Sequence, residues 1–229
     1  FYNALIAHNE KLEINYYAGH SLGEWTALHA ANYLSFEDTL KILEARGRFM
    51  QEACNSNTGA MIAVMNLDID KLEEIAVDTK CSVANYNSLQ QTVLSGDIKS
   101  IEKAEELAIA SGAKRVVRLP VAGAFHSPLM ISAGQKMNDF ISDIRFTNSH
   151  KLVLSNVTGY VHNFEEIKEK MVEQITSSVK WVQIIKNLSD RGVTEIIECG
   201  PGRVLSGLIK RIDKTIEVRN INSISDILD

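Results

Sequence analysis

A serine flanked by two glycines is the residue of this chain best suited to chemistry. It lies in the segment 19–23 (Gly-His-Ser-Leu-Gly), which follows an apolar, aromatic run at 14–18 and precedes a helical pattern at 24–31. A strand, a very sharp turn with serine at its apex and a helix together make a nucleophile elbow. Glycine allows two backbones to approach closely, and a helix N-terminus favours the negative charge that develops on an attacked carbonyl oxygen. The segment therefore predicts a nucleophilic Ser21, with an ordinary strand-to-helix turn as the alternative.

A serine hydroxyl is a weak nucleophile and needs a base, for which the chain offers six histidines. His126 lies in a loop between a predicted strand and a helix begun by Pro128, where functional groups gather in α/β folds. We take His126 as the candidate base, with helix capping as its alternative role. His8, His150 and His162 have polar neighbours in the sequence and are expected to be solvated at the surface.

One arginine is a candidate for binding an anionic group. Arg46 lies on the helix predicted to follow the elbow helix, and Gly47 comes directly after it. A buried arginine near a nucleophilic serine would select an acyl group that carries its own carboxylate, held by two parallel hydrogen bonds. A solvated charge on the helix surface is the alternative.

The composition limits the function classes. The chain has 229 residues, 45% hydrophobic and 23% charged, with a net charge of −5. This suits one large domain or a domain with a subdomain, and gives no support for nucleic-acid binding. Cys54, Cys81 and Cys199 lack C-x-x-C spacing, which argues against a disulfide framework and a zinc site. No apolar run approaches the ~18 residues of a membrane span.

Strands and helices alternate along the chain, which predicts an α/β protein with a mostly parallel sheet covered on both faces. Within residues 60–119 the order becomes β-α-β-β-α-β, the ferredoxin-like split unit. Its predicted strands and helices are 60–65, 68–77, 82–86, 92–95, 98–110 and 115–119. We therefore expect a core formed by residues 1–59 and 120–229, with a small subdomain at 60–119.

Several motifs in order make essentially the whole chain resemble the malonyl-CoA:acyl-carrier-protein transacylases of fatty-acid synthesis and the related acyltransferase domains of polyketide synthases. The motifs are AGHSLGE (18–24), RGRFMQEA (46–53), NYNS (85–88), GAFHS (123–127), SNVTG (155–159) and ECGPGRVL (198–205). That family combines an α/β-hydrolase-like core with a ferredoxin-like insert. The resemblance therefore implies the same architecture as the pattern of elements.

The resemblance also implies roles for individual residues. Ser21 would take the malonyl group as an ester, and His126 would activate this serine and later protonate the leaving thiol. The backbone N–H of Leu22 would supply one half of the oxyanion hole. Arg46 would hold the malonyl carboxylate, and the backbone carbonyl of Lys180 would orient the histidine.

Four further residues are implied at the substrate site. Phe125 resembles the residue that favours malonyl over branched methylmalonyl groups by filling space beside the acyl C2. His20, Asn85 and Asn156 are matched to the substrate pocket. For the two asparagines a structural role in a turn is an equally good alternative.

The implied reaction is a ping-pong transfer from malonyl-CoA to the phosphopantetheine thiol of acyl carrier protein. It needs no bound cofactor and no metal. We expect a monomer, located in the cytoplasm or in a plastid-like organelle lumen if the source is a eukaryote, without nucleic-acid or membrane partners. A serine hydrolase on the same core and a non-catalytic remnant are the alternatives.

One departure from the family concerns the oxyanion hole. The family's first strand and its Gly-Gln-Gly-Ser-Gln-like loop have no match in this sequence. The glutamine of that loop supplies the second half of the oxyanion hole, and loss of one such donor lowers the rate by about 10²–10³. The expectation is that the sequence is a piece of a longer protein or that the segment is supplied from elsewhere.

Overall fold

Helices and strands alternate in the computed structural model, which describes residues 1–9 and 12–228. The helices are α1 (Tyr2–His8), α2 (Leu22–Ala30), α3 (Phe36–Ser56), α4 (Ile69–Thr79), α5 (Ile98–Ala110), α6 (Ile131–Ser142), α7 (Ile167–Glu173), α8 (Trp181–Asp190), α9 (Val204–Ile212) and α10 (Ser225–Leu228). The strands are β1 (Tyr16–Tyr17), β2 (Gly59–Met65), β3 (Ser82–Ser88), β4 (Gln91–Asp97), β5 (Arg115–Arg118), β6 (Leu152–Val153), β7 (Glu195–Cys199) and β8 (Glu217–Ile221). The mixed α/β class expected from the sequence is confirmed.

The largest sheet is antiparallel, with the strand order β3-β4-β2-β5. In the chain its elements follow the order β2-α4-β3-β4-α5-β5, which is the split unit that the sequence pattern predicts. The buried faces of α4 and α5 cover the sheet, and the resulting cluster includes Leu72, Ile101, Ile62 and Leu94. Asp97 begins α5 by accepting the backbone N–H of Ser100 at 3.0 Å, so the strand passes directly into a capped helix.

Two pairs of strands are parallel among the described residues, and an isolated parallel bridge joins Asn85 to Val179. β1 pairs with β6, and β7 pairs with β8. The sequence predicts a mostly parallel sheet, but the structure shows two parallel pairs beside a larger antiparallel sheet. β1 and β6 are each only two residues long, so this pair offers few main-chain groups with which a further strand could pair.

A long helix brings a charged side chain to the end of β1. Ser35 caps α3 by accepting the backbone N–H of Asp38 at 3.0 Å, as its place before an acidic first turn predicts. The buried face of α3 contributes Ile42 and Met50 to a cluster shared with α2, α6 and α7. Arg46 lies on this same buried face rather than in solvent.

Within the described part of the chain, no helix has both the length and the apolar character that crossing a membrane requires.

Two isoleucines on α5 provide a test of the packing beneath the antiparallel sheet. Ile101 is fully buried, whereas Ile109 is 58% exposed on the same helix. We expect Ile101→Ala to lower the free energy of unfolding by about 2–5 kcal/mol, since it leaves a cavity. Ile109→Ala should change it by only about 0.5 kcal/mol. Urea unfolding measures both, and equal losses would contradict the described core.

Candidate active site

The predicted elbow begins where β1 ends. Ser21 is the N-cap of α2 and has φ 51° and ψ −107°, in the left-handed half of backbone space that non-glycine residues rarely adopt. A Cβ on Gly19 would lie 2.0 Å from the Gly23 carbonyl carbon, so the close approach requires glycine at position 19. A Cβ on Gly23 would meet nothing within 4 Å. Only the first of the two glycines is therefore needed for the turn.

Ser21 and His126 are hydrogen-bonded, although 105 residues separate them in the chain. The distance from Ser21 Oγ to His126 Nε2 is 2.9 Å. His126 Nδ1 lies 2.8 Å from the Gln174 carbonyl oxygen and 3.0 Å from that of Ser177. Because carbonyl oxygens only accept, Nδ1 carries the proton and Nε2 presents a lone pair to the serine hydroxyl. This is the tautomer that a general base needs.

The carbonyl that orients His126 is not the predicted one. The Lys180 carbonyl accepts the backbone N–H of Ile184 at 3.0 Å and makes the first hydrogen bond of α8. It is directed along that helix because Lys180 is its N-cap. The carbonyls of Gln174 and Ser177, in the segment between α7 and α8, take the role instead.

Arg46 also reaches the serine. Its Nη2 donates to Ser21 Oγ at 2.9 Å, so the hydroxyl accepts from Arg46 while it donates to His126. The residue is only 7% exposed, and its Nε has no partner among the described residues. Burial lowers the pKa of Arg46 to about 10, against the opposing charge of Glu24, so the guanidinium is charged at neutral pH. A cation with unused donors therefore lies beside the nucleophile.

Burial also keeps the base neutral. It lowers the pKa of His126 to about 4, and the charge of Arg46 acts in the same direction, as does that of His20 once it is protonated. The hydrogen bond to the Gln174 carbonyl opposes this shift. Burial likewise lowers the pKa of His20. At neutral pH both rings are uncharged, and His126 is able to accept a proton.

A cavity of about 390 Å³ opens beside Ser21. Five other predicted residues line it, namely His20, Arg46, Asn85, Phe125 and His126. Its remaining walls are mainly apolar and include Met50, Met61, Leu119 and Val121. A larger, more open cleft of about 620 Å³ lies between α6 and α7, lined by Asp139 and Glu173 but by none of the predicted site residues.

Asn156 lies beneath the elbow and not in the cavity. Its Oδ1 accepts the backbone N–H of Ser21 at 2.7 Å, and its Nδ2 donates to the Gly19 carbonyl at 2.7 Å. The residue is fully buried, and the turn satisfies both polar ends of its side chain. Asn156 therefore has the alternative role, a structural one in the turn, and the predicted position in the lining of the pocket is wrong.

The oxyanion donor proposed from the sequence has suitable local geometry. Leu22 is the first residue of α2, so the helix itself offers no acceptor to its backbone N–H. Leu22 is 48% exposed, and it follows the nucleophile directly. Its N–H is thus free to meet charge that develops on a carbonyl oxygen attacked by Ser21.

Three residues near the serine were missed by sequence reasoning. Gln174 supplies the carbonyl that holds His126, and Glu24 lies fully buried one turn after Ser21. His162, expected at the surface, is buried with its Nε2 2.7 Å from Glu24 Oε1. The three-residue spacing from Ser21 to Glu24 is a helical signal that the sequence does carry. The pairing with His162 spans 138 residues and has no local signature.

A serine that a neutral imidazole can deprotonate, at the start of a helix, is equipped to attack carbonyl groups. The molecule is thus an enzyme of the acyl-transfer class. Within the described residues, no group of three or more histidine, cysteine, aspartate or glutamate side chains is arranged to hold a metal ion.

Comparison with known proteins gives the family. The acyl transferase domain family matches residues 12–224, and the chain belongs to the malonyl CoA-acyl carrier protein transacylases of that family. The transacylase of Staphylococcus aureus strain MRSA252 is 38% identical over 98% of this chain and 75% of its own length.

Solved structures agree with this assignment. The malonyl CoA-acyl carrier protein transacylase of Coxiella burnetii superposes with a TM-score of 0.95 at 35% identity, over 99% of this chain and 73% of that one. A malonyl-transacylase in complex with its type II PKS acyl-carrier protein gives a TM-score of 0.93 at 32% identity, over 98% of this chain and 75% of that one.

The protonation state of His126 can be measured directly. We expect its imidazole to stay neutral until the pH falls to about 4, because burial disfavours the charged form. The unfolded chain takes up this proton near pH 6.5, so the folded state loses stability as the pH falls from 6.5 towards 4. Nuclear magnetic resonance of ¹⁵N-labelled histidine gives the titration, with His126→Gln to assign the signal. A midpoint near 6.5 would contradict the buried, hydrogen-bonded geometry.

Proposed function

We propose that this chain is an acyl-carrier-protein S-malonyltransferase, which moves malonyl groups from malonyl-CoA to the phosphopantetheine thiol of acyl carrier protein and so supplies fatty-acid elongation. The observation that carries the proposal is the double engagement of Ser21 Oγ, 2.9 Å from His126 Nε2 and 2.9 Å from Arg46 Nη2. The first contact supports a nucleophile. The second supports a carboxylate-binding role for Arg46, because its cation is close enough to contact an acyl group attached to Ser21.

In the first half-reaction the serine is acylated. His126 Nε2 takes the proton of Ser21 as Oγ attacks the thioester carbonyl, and the Leu22 N–H stabilises the resulting oxyanion. The carbon–sulfur bond then breaks, His126 gives its proton to the CoA thiolate, and CoA leaves. The malonyl group remains on Ser21 as an ester, and His126 is neutral again.

In the second half-reaction the acceptor thiol replaces CoA. His126 takes the proton of the phosphopantetheine thiol, whose sulfur attacks the malonyl-serine ester. The ester carbon–oxygen bond breaks, and the proton returns from His126 to Ser21 Oγ. The same base thus serves both halves in opposite directions, and no bound cofactor enters either half.

Arg46 supplies selectivity for the malonyl carboxylate. Its Nη2 is on Ser21 Oγ, and its Nε is buried without a partner among the described residues. A guanidinium can hold a carboxylate by two parallel hydrogen bonds, and a hydrogen bond to a charged group contributes about 1.5–3 kcal/mol net. Phe125, with Met50 and Met61 on the cavity wall, limits the space beside the acyl C2.

The proposal extends to the organisation of the chain. We assign residues 1–59 and 120–229 to an α/β-hydrolase-like core that includes both parallel pairs, and residues 60–119 to a ferredoxin-like subdomain. The hydrophobic cluster of the four-stranded sheet is distinct from those around α2–α3 and α8–α9, which supports this division. Location in the cytoplasm, or in a plastid-like organelle lumen, and the monomeric state stay predictions.

Intact-protein mass spectrometry tests the acyl-enzyme. After brief incubation with malonyl-CoA, we expect one malonyl-sized increment on the native chain and none on Ser21→Ala, because the ester forms on Oγ. Adding acyl carrier protein should remove the increment and produce malonyl carrier protein. Release of free malonate with no transfer would favour the hydrolase alternative. An unmodified chain would point either to a need for the second oxyanion donor, which the family's Gly-Gln-Gly-Ser-Gln-like loop supplies, or to a non-catalytic remnant. Repeating the measurement on a chain that carries that loop decides between the two.

Arg46→Ala tests acyl selectivity. We expect the ratio of malonyl to acetyl acylation rates to fall by about 10- to 100-fold, since a charged hydrogen bond of about 1.5–3 kcal/mol is lost. Arg48→Ala is the matched control, because Arg48 lies on the exposed side of α3 and pairs with Glu44 at 3.2 Å. An unchanged ratio in Arg46→Ala would show that another group recognises the carboxylate.

A further inference from the structure

One fully buried carboxylate has no part in the mechanism described above. Glu24 lies in the first turn of α2 and is 0% exposed. Its Oε1 accepts the backbone N–H of Asn156 at 3.1 Å and is 2.7 Å from His162 Nε2. Its Oε2 accepts from Gln174 Nε2 at 2.5 Å. Every one of these partners is a nitrogen donor, and a carboxylate, which only accepts, satisfies all of them together.

Two of these partners also hold the nucleophile. The Asn156 side chain accepts the backbone N–H of Ser21 at 2.7 Å and donates to the Gly19 carbonyl at 2.7 Å. Gln174 Nε2 donates to the Ser21 carbonyl at 2.9 Å as well as to Glu24. Both backbone polar groups of Ser21 are thus bound by side chains of residues that Glu24 contacts. Glu24 binds Asn156 at its backbone N–H and Gln174 at its side-chain amide. This matters because Ser21 has the strained φ of 51°.

Gln174 also connects the carboxylate to the base. The backbone carbonyl of Gln174 accepts from His126 Nδ1 at 2.8 Å, while its side-chain amide lies on Glu24. The orientation of that amide is determined, since Nε2 faces two acceptors and the opposite orientation would set oxygen against oxygen. Glu24 is therefore linked to His126 through one intervening residue, Gln174. It is linked to Ser21 through either Gln174 or Asn156.

We propose that Glu24 is a positioning residue for the transfer, whose buried carboxylate aligns Ser21 with His126 through Asn156 and Gln174, with His162 as its remaining partner. This rests on the proposed function, because the readout is malonyl-ester formation. Its contacts are with groups that hold the nucleophile and base, and none is with the substrate cavity. The expected consequence of its loss is a slower chemical step with unchanged substrate binding.

Glu24→Gln is the informative variant, because it keeps the size of the side chain. Its amide must direct N–H donors either at Gln174 Nε2 or at the nitrogens of Asn156 and His162, so one donor always faces another. A misplacement on the scale of 1 Å lowers rates by about 10²-fold. We expect the single-turnover rate constant for Ser21 malonylation to fall by about that factor, with KM for malonyl-CoA unchanged.

A matched control separates alignment from stability. Glu198 is a partly buried carboxylate that, like Glu24, accepts backbone N–H groups, those of Leu205 at 3.0 Å and Ser206 at 2.9 Å, where α9 begins. Glu198→Gln should lower the melting temperature while the malonylation rate constant stays at the native value. The endpoint, in malonyl groups per chain, counts the active molecules of each variant.

Three results decide the question. If neither the native chain nor a chain that carries the family's loop takes up a malonyl group, the proposed function fails first. If the native chain reacts and Glu24→Gln reaches one malonyl group per chain at the native rate constant, Glu24 has no positioning role. If Glu24→Gln gives only a reduced endpoint at the native rate constant, its role is stability alone, which also overturns the proposal.

Glu24→Asp keeps the proposal testable if Glu24→Gln does not fold. Aspartate retains the charge but is one methylene shorter, so it cannot reach Gln174 and Asn156 together at the native distances. We expect its malonylation rate constant to lie between those of the native chain and Glu24→Gln, and below the native value in any case. A native rate constant in Glu24→Asp would overturn the alignment argument.

Discussion

The active site depends on the direction of one hydrogen bond, from the hydroxyl of Ser21 to Nε2 of His126. That direction follows from the other nitrogen of the His126 ring. Nδ1 faces two backbone carbonyls, which only accept, so Nδ1 donates and Nε2 is left to accept. Burial then disfavours a second proton on the ring and keeps the acceptor lone pair available. Main-chain groups provide here what an aspartate provides in the familiar serine triad.

Holding these groups in place uses strained backbone and buried polar contacts. Ser21 and His126 both have positive φ values, 51° and 58°, which a non-glycine residue maintains only when its surroundings enforce them. The enforcing contacts come from Asn156 and Gln174, which are both fully buried. The site therefore forms where distant segments of the chain meet around the turn at Ser21, and α3 contributes the Arg46 cation.

The sequence predicts best those features whose functional groups and secondary structure lie within one continuous segment. Residues 98–110 were predicted as a helix, and α5 has those bounds because its apolar spacing and its Asp97 cap act within one segment. The elbow was visible for the same reason. The carbonyl partner of His126 was misassigned because backbone carbonyls are identical in every residue and their direction depends on where helices begin. His162 was misplaced because its polar neighbours suggested solvent, whereas its buried partner lies 138 residues away.

The position of the Arg46 guanidinium on the nucleophile has a kinetic meaning. In the absence of an acyl group, the Arg46 guanidinium donates to one lone pair of the Ser21 hydroxyl, the atom that attacks in the proposed reaction. In the proposed reaction, a substrate carboxylate would compete for that cation, so its binding would free the oxygen with which the substrate reacts. An acyl group without a carboxylate would leave the Arg46 guanidinium hydrogen-bonded to Ser21. In the proposed reaction, discrimination between acyl groups would then act on the reactivity of Ser21 as well as on the affinity for the substrate.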